Sequence, residues 1–257
     1  MLYLLSPAKK LDYDTPLRHT KHTQPLFTKD ASALIAVLKT LSADEVGELM
    51  TLSPALSQLN ADRYAEWKPS FTEADSRQAV LAFNGDVYEG LEAASLSPAQ
   101  LDWAQEHVAI LSGLYGVLRP LDLMRPYRLE MGTRLATSRG KNLYDFWGDK
   151  LAEYLNTRQE GEKAPIIVNL ASEEYFKSVP NKALKARVVQ CVFQDWKNDA
   201  WKVISFHAKR ARGLMARYAI QHKINTPQKL QGFASEGYAF DAAASSEDKL
   251  VFRRRQD

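Results

Sequence analysis

The sequence contains a single cysteine, Cys191, in 257 residues, which excludes an intrachain disulfide and any zinc or iron-sulfur centre built on several cysteines. Its setting, VVQCVFQ, is that of a buried strand thiol and not the exposed, electropositive niche that thiol reactivity needs. Also missing is any run of eighteen apolar residues, and the apolar start MLYLL precedes Lys9 and Lys10, the reverse of a secretory signal. A cytoplasmic protein with no membrane partner is the expectation. There is no G-x-x-x-x-G-K-[ST], no G-x-G-x-x-G, no H-E-x-x-H and no G-x-S-x-G. None of the five histidines (His19, His22, His107, His207, His222) has a glutamate three positions before it, which rules out paired Glu-x-x-His iron ligands. No metal centre and no cofactor are expected.

What the chain does have is charge sorted along its length. The formal net charge is only +3, yet between Ser42 and Leu111 twelve acids stand against Arg63, Lys68 and Arg77. Between Lys177 and Lys223 eleven lysines and arginines stand against Asp195 and Asp199. Such asymmetry suits a surface that faces a polyanion, and equally a solvated basic face. With 45% hydrophobic and 25% charged residues, the chain is able to bury a sizeable core.

The aliphatic runs LYLL, QAVLAFNG, VAILSG, APIIVNLAS and ARVVQCVFQ, bounded by Gly, Asn, Pro or Ser, read as short buried strands. VVQCVFQDW and DAWKVISF, around Lys197-Asn198, read as an antiparallel hairpin. KLVF reads as a last strand with Arg253, Arg254 and Arg255 behind it. Helices are expected over KDASALIAVLKT, after the capping box Ser42-Ala-Asp-Glu45, and after Ser53-Pro54, Ser97-Pro98 and Thr226-Pro227. Two more are expected over NLYDFWGDKLAEYLNTR and FHAKRARGLMARYAIQ. The fold class is therefore mixed α/β (α+β): one compact domain over residues 1–257, a mixed sheet surrounded by helices, with a helical lobe over 29–70.

In the helix that begins near Phe206, a rotation of about 100° per residue puts Ala211, Leu214, Met215 and Tyr218 on one face. Lys209, Arg210, Arg212 and Arg217 spread over the other. No acid occurs between Asp199 and Glu236, so these cations have no opposite charge one turn away on the helix. A ligand's phosphates would supply it. The stretch LSGLYGVLRPLDLMRPYRLEMGTR carries Arg119, Arg125, Arg128 and Arg134, and Pro120 and Pro126 stiffen the backbone at the first two. Its Gly113-Leu-Tyr-Gly116 has the spacing of a loop that clamps nucleic-acid backbone, but the apolar centre suits strand and core as well. Lys9 and Lys10 follow the first strand, where ligand-facing loops of α/β sheets lie. Asn84 and Asp86 sit at a strand end and helix start, where Asp86 reads as a charge on the helix dipole as well as a candidate acid.

SPAKKLD, FNGDVYEGL, ILSGLYGVLRPLDLMRPYRLEMGT, LYDFWGDKLAEYL, VNLASEEYF and HAKRARGLMARYAI together give the chain a resemblance to the YaaA family of bacterial peroxide-stress resistance proteins, over nearly its whole length. The resemblance implies a cytoplasmic protein of the oxidative-stress response that limits damage from intracellular unincorporated iron. It also implies DNA binding in a positively charged cleft and an unusual mixed α/β fold with a helix-hairpin-helix element. Residues Glu48 to Trp67 supply helix, turn and helix, with Leu49, Leu52, Leu56 and Leu59 as packing positions. Pro54-Ala55-Leu56 stands there in place of Gly-hydrophobic-Gly, and Pro54 has no N–H to offer a phosphate.

The basic segments are thus the expected DNA contacts, Lys209, Arg210, Arg212 and Arg217 on one wall and Arg119, Arg125, Arg128 and Arg134 on the other. The expected protein is a monomer that holds duplex or distorted DNA by its phosphates, with low sequence specificity. If about four to six phosphates are neutralised, log K against log salt slopes at roughly −4 to −5. The competing reading is an enzyme acting on a small phosphorylated or carboxylated substrate, in a pocket that joins Lys9, Lys10, Asn84, Asp86 and Glu130 with Arg119 and Arg125. A third is an interaction scaffold joining acidic and basic lobes. A closed pocket where Arg, Lys and carboxylates converge favours the small substrate, and a groove as wide as a duplex favours DNA.

Overall fold

The apolar run Leu2–Leu5 forms β1, buried at all four residues, at the centre of the main sheet in this computed structural model, which describes residues 1–255. A short β2 (Lys10–Leu11) follows, then α1 (Thr28–Leu38), α2 (Ala43–Met50) and α3 (Pro54–Glu66). Next come β3 (Arg77–Gln78), α4 (Ala79–Ala82), β4 (Phe83–Asn84), α5 (Asp86–Leu91) and α6 (Pro98–His107). The chain returns to the sheet as β5 (Val108–Ser112) and β6 (Gly116–Leu118), and continues through β7 (Leu123–Met124), α7 (Leu143–Trp147) and α8 (Lys150–Thr157). Then follow β8 (Ile166–Asn169), α9 (Glu173–Phe176), β9 (Arg187–Lys197), β10 (Ala200–Lys202) and α10 (Ser205–Gln221). The last elements are α11 (Pro227–Leu230), β11 (Ala239–Phe240) and β12 (Lys249–Arg254). The outcome is the mixed α/β class expected from the sequence. Among the described residues no helix is long and apolar enough to cross a membrane.

The sheet order is β11-β12-β9-β8-β1-β5-β6, with β10 folded back on β9. The contacts β12/β9, β9/β8, β8/β1 and β1/β5 are parallel, while β6 and β11 close the two edges antiparallel. The central strands β1, β5 and β8 read as nearly continuous apolar runs because they are buried on both faces. β9 instead alternates, with Val189, Cys191, Phe193 and Asp195 inward. Counted in chain order from β5, the five parallel strands run 2-1-3-4-5, so the winding reverses between β1 and β8. The crevice beyond the carboxyl ends of strands at such a reversal is where doubly wound sheets take their ligands.

Several local expectations hold for the physical reasons given. Ser42 accepts from the Glu45 amide at 3.2 Å while the Glu45 carboxylate accepts from the Ser42 amide at 2.7 Å, and Ser97 with Gln100 repeats this box at α6. The hairpin turns at Asn198 and Asp199, both at positive φ (52° and 55°), the backbone that a tight two-residue turn requires.

Others are corrected. QAVLAFNG is not one strand. Ala79–Ala82 makes a helical turn between two-residue strands, because Arg77 and Gln78 anchor their ends on the carbonyls of Asp12 and His19, and a short apolar run buries equally well in either conformation. NLYDFWGDKLAEYLNTR breaks at Gly148, in the left-handed region at φ 52°. The last strand runs on through Arg253 and Arg254, since Arg253 reaches Asp241 at 2.7 Å and Arg254 Nε donates to buried Asp195 at 2.7 Å. Helices α2 and α3 do pair across Thr51–Ser53, but they do not establish a helix-hairpin-helix. Leu56 and Leu59, expected in its packing, stand 39% and 42% exposed, and α3 buries Ser57, Asn60 and Tyr64 instead.

Asp30, in the first turn of α1, is buried between Lys150 (2.8 Å) and Arg139 (2.6 Å). Burial works to raise its carboxyl, but the two cations outweigh that and hold it below the usual carboxylate range. A depressed carboxyl adds stability above its unfolded pKa, near about 3.9, and loses it as pH falls through the folded value. Asp30→Asn is therefore expected to unfold about 1 kcal/mol more easily at pH 7, a figure discounted because both cations are partly in water. The gap should close toward pH 3 in urea titrations at the two pH values. An equal gap at both would contradict the assignment.

Candidate anion-binding site

Between the carboxyl ends of β1 and β8 and the start of α5 lies a cavity of about 430 Å³. Its rear is knitted from the two strand ends, where the Ser172 amide donates to Ser6 Oγ at 2.8 Å and Tyr88 Oη donates to the Ser6 carbonyl at 3.0 Å. Pairing of Lys10 with Asn84 and of Leu11 with Phe83 brings the loop after β1 to the turn that starts α5. The segment 127–130 supplies another side, held by Tyr127 Oη against Ser112 Oγ at 2.6 Å and by Tyr64 Oη donating to the Arg128 carbonyl. Glu174 accepts from the Gly132 amide at 2.8 Å, tying this segment to α9. Burial raises the Tyr127 and Tyr175 hydroxyls above their ordinary range, so both rings face the cavity uncharged.

Helix α10 brings Lys209 and Arg212 to the cavity because it crosses α5 at backbone contact. A Cβ on Gly213 would lie 1.8 Å from the Val87 carbonyl oxygen, and one on Gly90 would lie 2.3 Å from that of Arg210. The two glycines face each other's helices, and no larger residue fits at either.

Lys9, Lys10, Arg128, Lys209 and Arg212 thus meet Asp86, Glu130 and Glu174 around one space. Glu130 is already engaged, with Arg128 at 3.1 Å on one oxygen and Lys9 at 3.0 Å on the other. By contrast, the side chains of Lys10, Asn84, Asp86, Lys209 and Arg212 make no hydrogen bond or ion pair among the described residues. Arg212 is partly buried, and desolvation lowers its guanidinium from the usual range. It stands between this cavity and a second one of about 340 Å³, which Cys191 and Phe193 also line. Burial pushes the Cys191 thiol up to about 12, leaving it unreactive at neutral pH.

The five residues grouped from the sequence as a candidate anion pocket, Lys9, Lys10, Asn84, Asp86 and Glu130, all line this cavity. Asp86 makes no cap hydrogen bond at α5. The two cationic walls do not form as expected. Arg119 turns onto Asp122 (2.9 Å) and Arg125 onto Asp75 and the Ser70 carbonyl, which removes both from the cavity. Arg134 is exposed and does not line it. On α10, Arg210 pairs with Glu236 at 2.6 Å, and Arg217 donates to the carbonyls of Leu91 and Glu92 at 3.0 Å. The acids missing from the helix come from other elements. Only Arg128 from one segment and Lys209 and Arg212 from the other converge. Gly113 and Gly116 belong to the core, packed under the Leu129 carbonyl and Trp147. Ser6, Ser172, Tyr127, Tyr175 and Glu174 were not singled out in the sequence. The two serines follow strand ends, and that position was the signal available.

A family model described as peroxide stress protein YaaA matches residues 1–244. The chain is similar to a UPF0246 protein of Bordetella petrii, 76% identical over 255 residues that cover 99% of this chain and all of that protein. It is also similar to one of Bordetella pertussis, 77% identical over 256 residues with both chains fully covered. A third, from Polaromonas naphthalenivorans, is 64% identical over 256 residues, covering this chain fully and 99% of its own.

Proposed function

The chain belongs to the YaaA family of peroxide stress proteins, and from that premise we propose that it serves peroxide defence by holding a small phosphorylated or carboxylated ligand in the cavity at the β1/β8 crevice. The observation that carries this reading is the convergence of five cations and three carboxylates on one partly enclosed space, with Arg212 unpartnered inside it. A half-buried guanidinium with no protein partner bears part of its desolvation cost uncompensated, and an anionic ligand offsets that cost. The carboxylates select among anions, since a ligand with no donor to offer Asp86 is repelled by it.

The reading is tested by thermal unfolding with inorganic phosphate or citrate against sodium chloride at matched ionic strength. A ligand that binds the folded state stabilises it by about 2.7 kcal/mol at a hundredfold excess over Kd and so raises the midpoint. The rise is expected in the natural protein and absent in Lys209→Glu. No rise with any anion beyond the salt control would sink the reading.

A second reading follows from Lys10, Lys209 and Arg134, which are exposed cations. In it the protein binds DNA through phosphates on these exposed cations and so limits damage linked to unincorporated iron. With most of the candidate arginines engaged internally, about three phosphates are neutralised, and log K against log salt should slope at roughly −3, shallower than the full two-wall cleft demands.

A further inference from the structure

We infer that the ligand of this cavity is a phosphomonoester, bound as its dianion with the phosphate on Arg212 and Lys209. The inference rests on the small-anion reading above and narrows it to one chemical class.

Charge is the first argument. The five cations around the cavity exceed its three carboxylates by two formal charges. A phosphodiester or a single carboxylate brings one negative charge and leaves the space positive, whereas a phosphomonoester brings close to two near neutral pH. Geometry is the second. Glu130 occupies Arg128 and Lys9, so the cations open to a ligand are Lys10, Lys209 and Arg212. Arg212 and Lys209 lie three residues apart on α10 and therefore share a face of that helix. A guanidinium fork grips two oxygens of one phosphate, a match that an ammonium cannot reproduce. Size is the third. At about 430 Å³ the cavity exceeds what a bare phosphate fills and suits a ligand with a sugar or base attached. Asn84 and Asp86, unpartnered on the α5 side, would take hydroxyl or amino donors on that remainder.

The phosphate could arrive on a free small molecule or on the end of a nucleic-acid strand, and the probes separate these sources. Calorimetric titrations would use adenosine 5′-monophosphate, glucose 6-phosphate, citrate, and a short single-stranded oligodeoxynucleotide with either a terminal phosphate or hydroxyl ends. Binding of a small monoester, weakened roughly 10- to 100-fold in Arg212→Gln, supports the inference with a free ligand. Preference for the phosphate-ended strand over the hydroxyl-ended one, lost in the same variant, supports it with a strand end. Lys209→Ala, at an exposed position, repeats either result should Arg212→Gln fold poorly. Citrate binding without any monoester binding overturns the inference and leaves the small-anion reading standing. Equal binding of the two strands, with no small monoester bound, overturns it in favour of plain backbone contact. If no probe binds, both readings fall.

Discussion

Gly213→Ala is expected to lower the free energy of unfolding by about 2 kcal/mol or more, although alanine is the better helix former by about 1 kcal/mol. The added Cβ would meet the Val87 carbonyl oxygen at 1.8 Å and the Leu91 amide nitrogen at 2.8 Å. Both are backbone atoms of α5, so no side chain can swing aside and the helix itself must move. Overpacking a tight contact costs about 1–3 kcal/mol and sometimes more, and a clash with backbone belongs at the upper end. Moving α5 off α10 also carries Asp86 away from Lys209 and Arg212, so anion affinity should fall with stability. Gly47→Ala in α2 is the fitting comparison. Its Cβ would meet Ser57 Oγ at 2.6 Å, a side-chain atom that can turn away by giving up its hydrogen bond to the Ser53 carbonyl, and with the helix-propensity gain of alanine the expected net loss is about 1 kcal/mol or less. Urea unfolding of both variants beside the natural protein measures the difference, and an unchanged midpoint for Gly213→Ala would contradict the backbone contact.

How much of this was legible in the sequence depends on the range over which each feature is decided. Capping at Ser42 and Ser97, the turn at Asn198-Asp199 and the buried thiol of Cys191 are settled within a few residues, and each is as its local chemistry indicates. The grouping of Lys9, Lys10, Asn84, Asp86 and Glu130 in one cavity was accessible because strand ends and helix starts collect ligand-facing groups in an α/β sheet. The state of the arginines was not. Arg125 finds Asp75 at a separation of 50 residues, Arg210 finds Glu236 at 26, Arg254 finds Asp195 at 59 and Arg217 finds the Glu92 carbonyl at 125. A search for opposite charges one turn away along a helix cannot see such partners, because tertiary packing brings them. The same packing decided QAVLAFNG, whose apolar residues suit a strand or a helical turn until the anchors at Arg77 and Gln78 are placed.

The internal pairing also redraws the electrostatics. A stretch with eleven bases against two acids suggested an open cationic face. In the fold, acids from other elements pair with four of the eleven, Lys182, Arg187, Arg210 and Arg217, as Glu92 does for Arg217 and Glu236 for Arg210. What remains unpaired at the β1/β8 crevice is a small set, Lys10, Lys209 and Arg212, beside an unpartnered Asp86. A set of that size matches a ligand of a few charges better than a long polyanion.

The central claim, that this cavity is the working part of a peroxide stress protein, makes the second large prediction. Lys209 is exposed and makes no ion pair among the described residues, so Lys209→Glu reverses a charge at the cavity with little effect on folding. Arg134→Glu reverses a charge outside the cavity, on the surface that a broad DNA cleft would use. The deciding measurement is survival after hydrogen peroxide challenge of cells whose own copy is deleted, each supplied with one of the two variants or the natural protein at equal abundance. The account predicts that Lys209→Glu protects no better than an empty vector and that Arg134→Glu protects as well as the natural protein. Full protection by Lys209→Glu would contradict it.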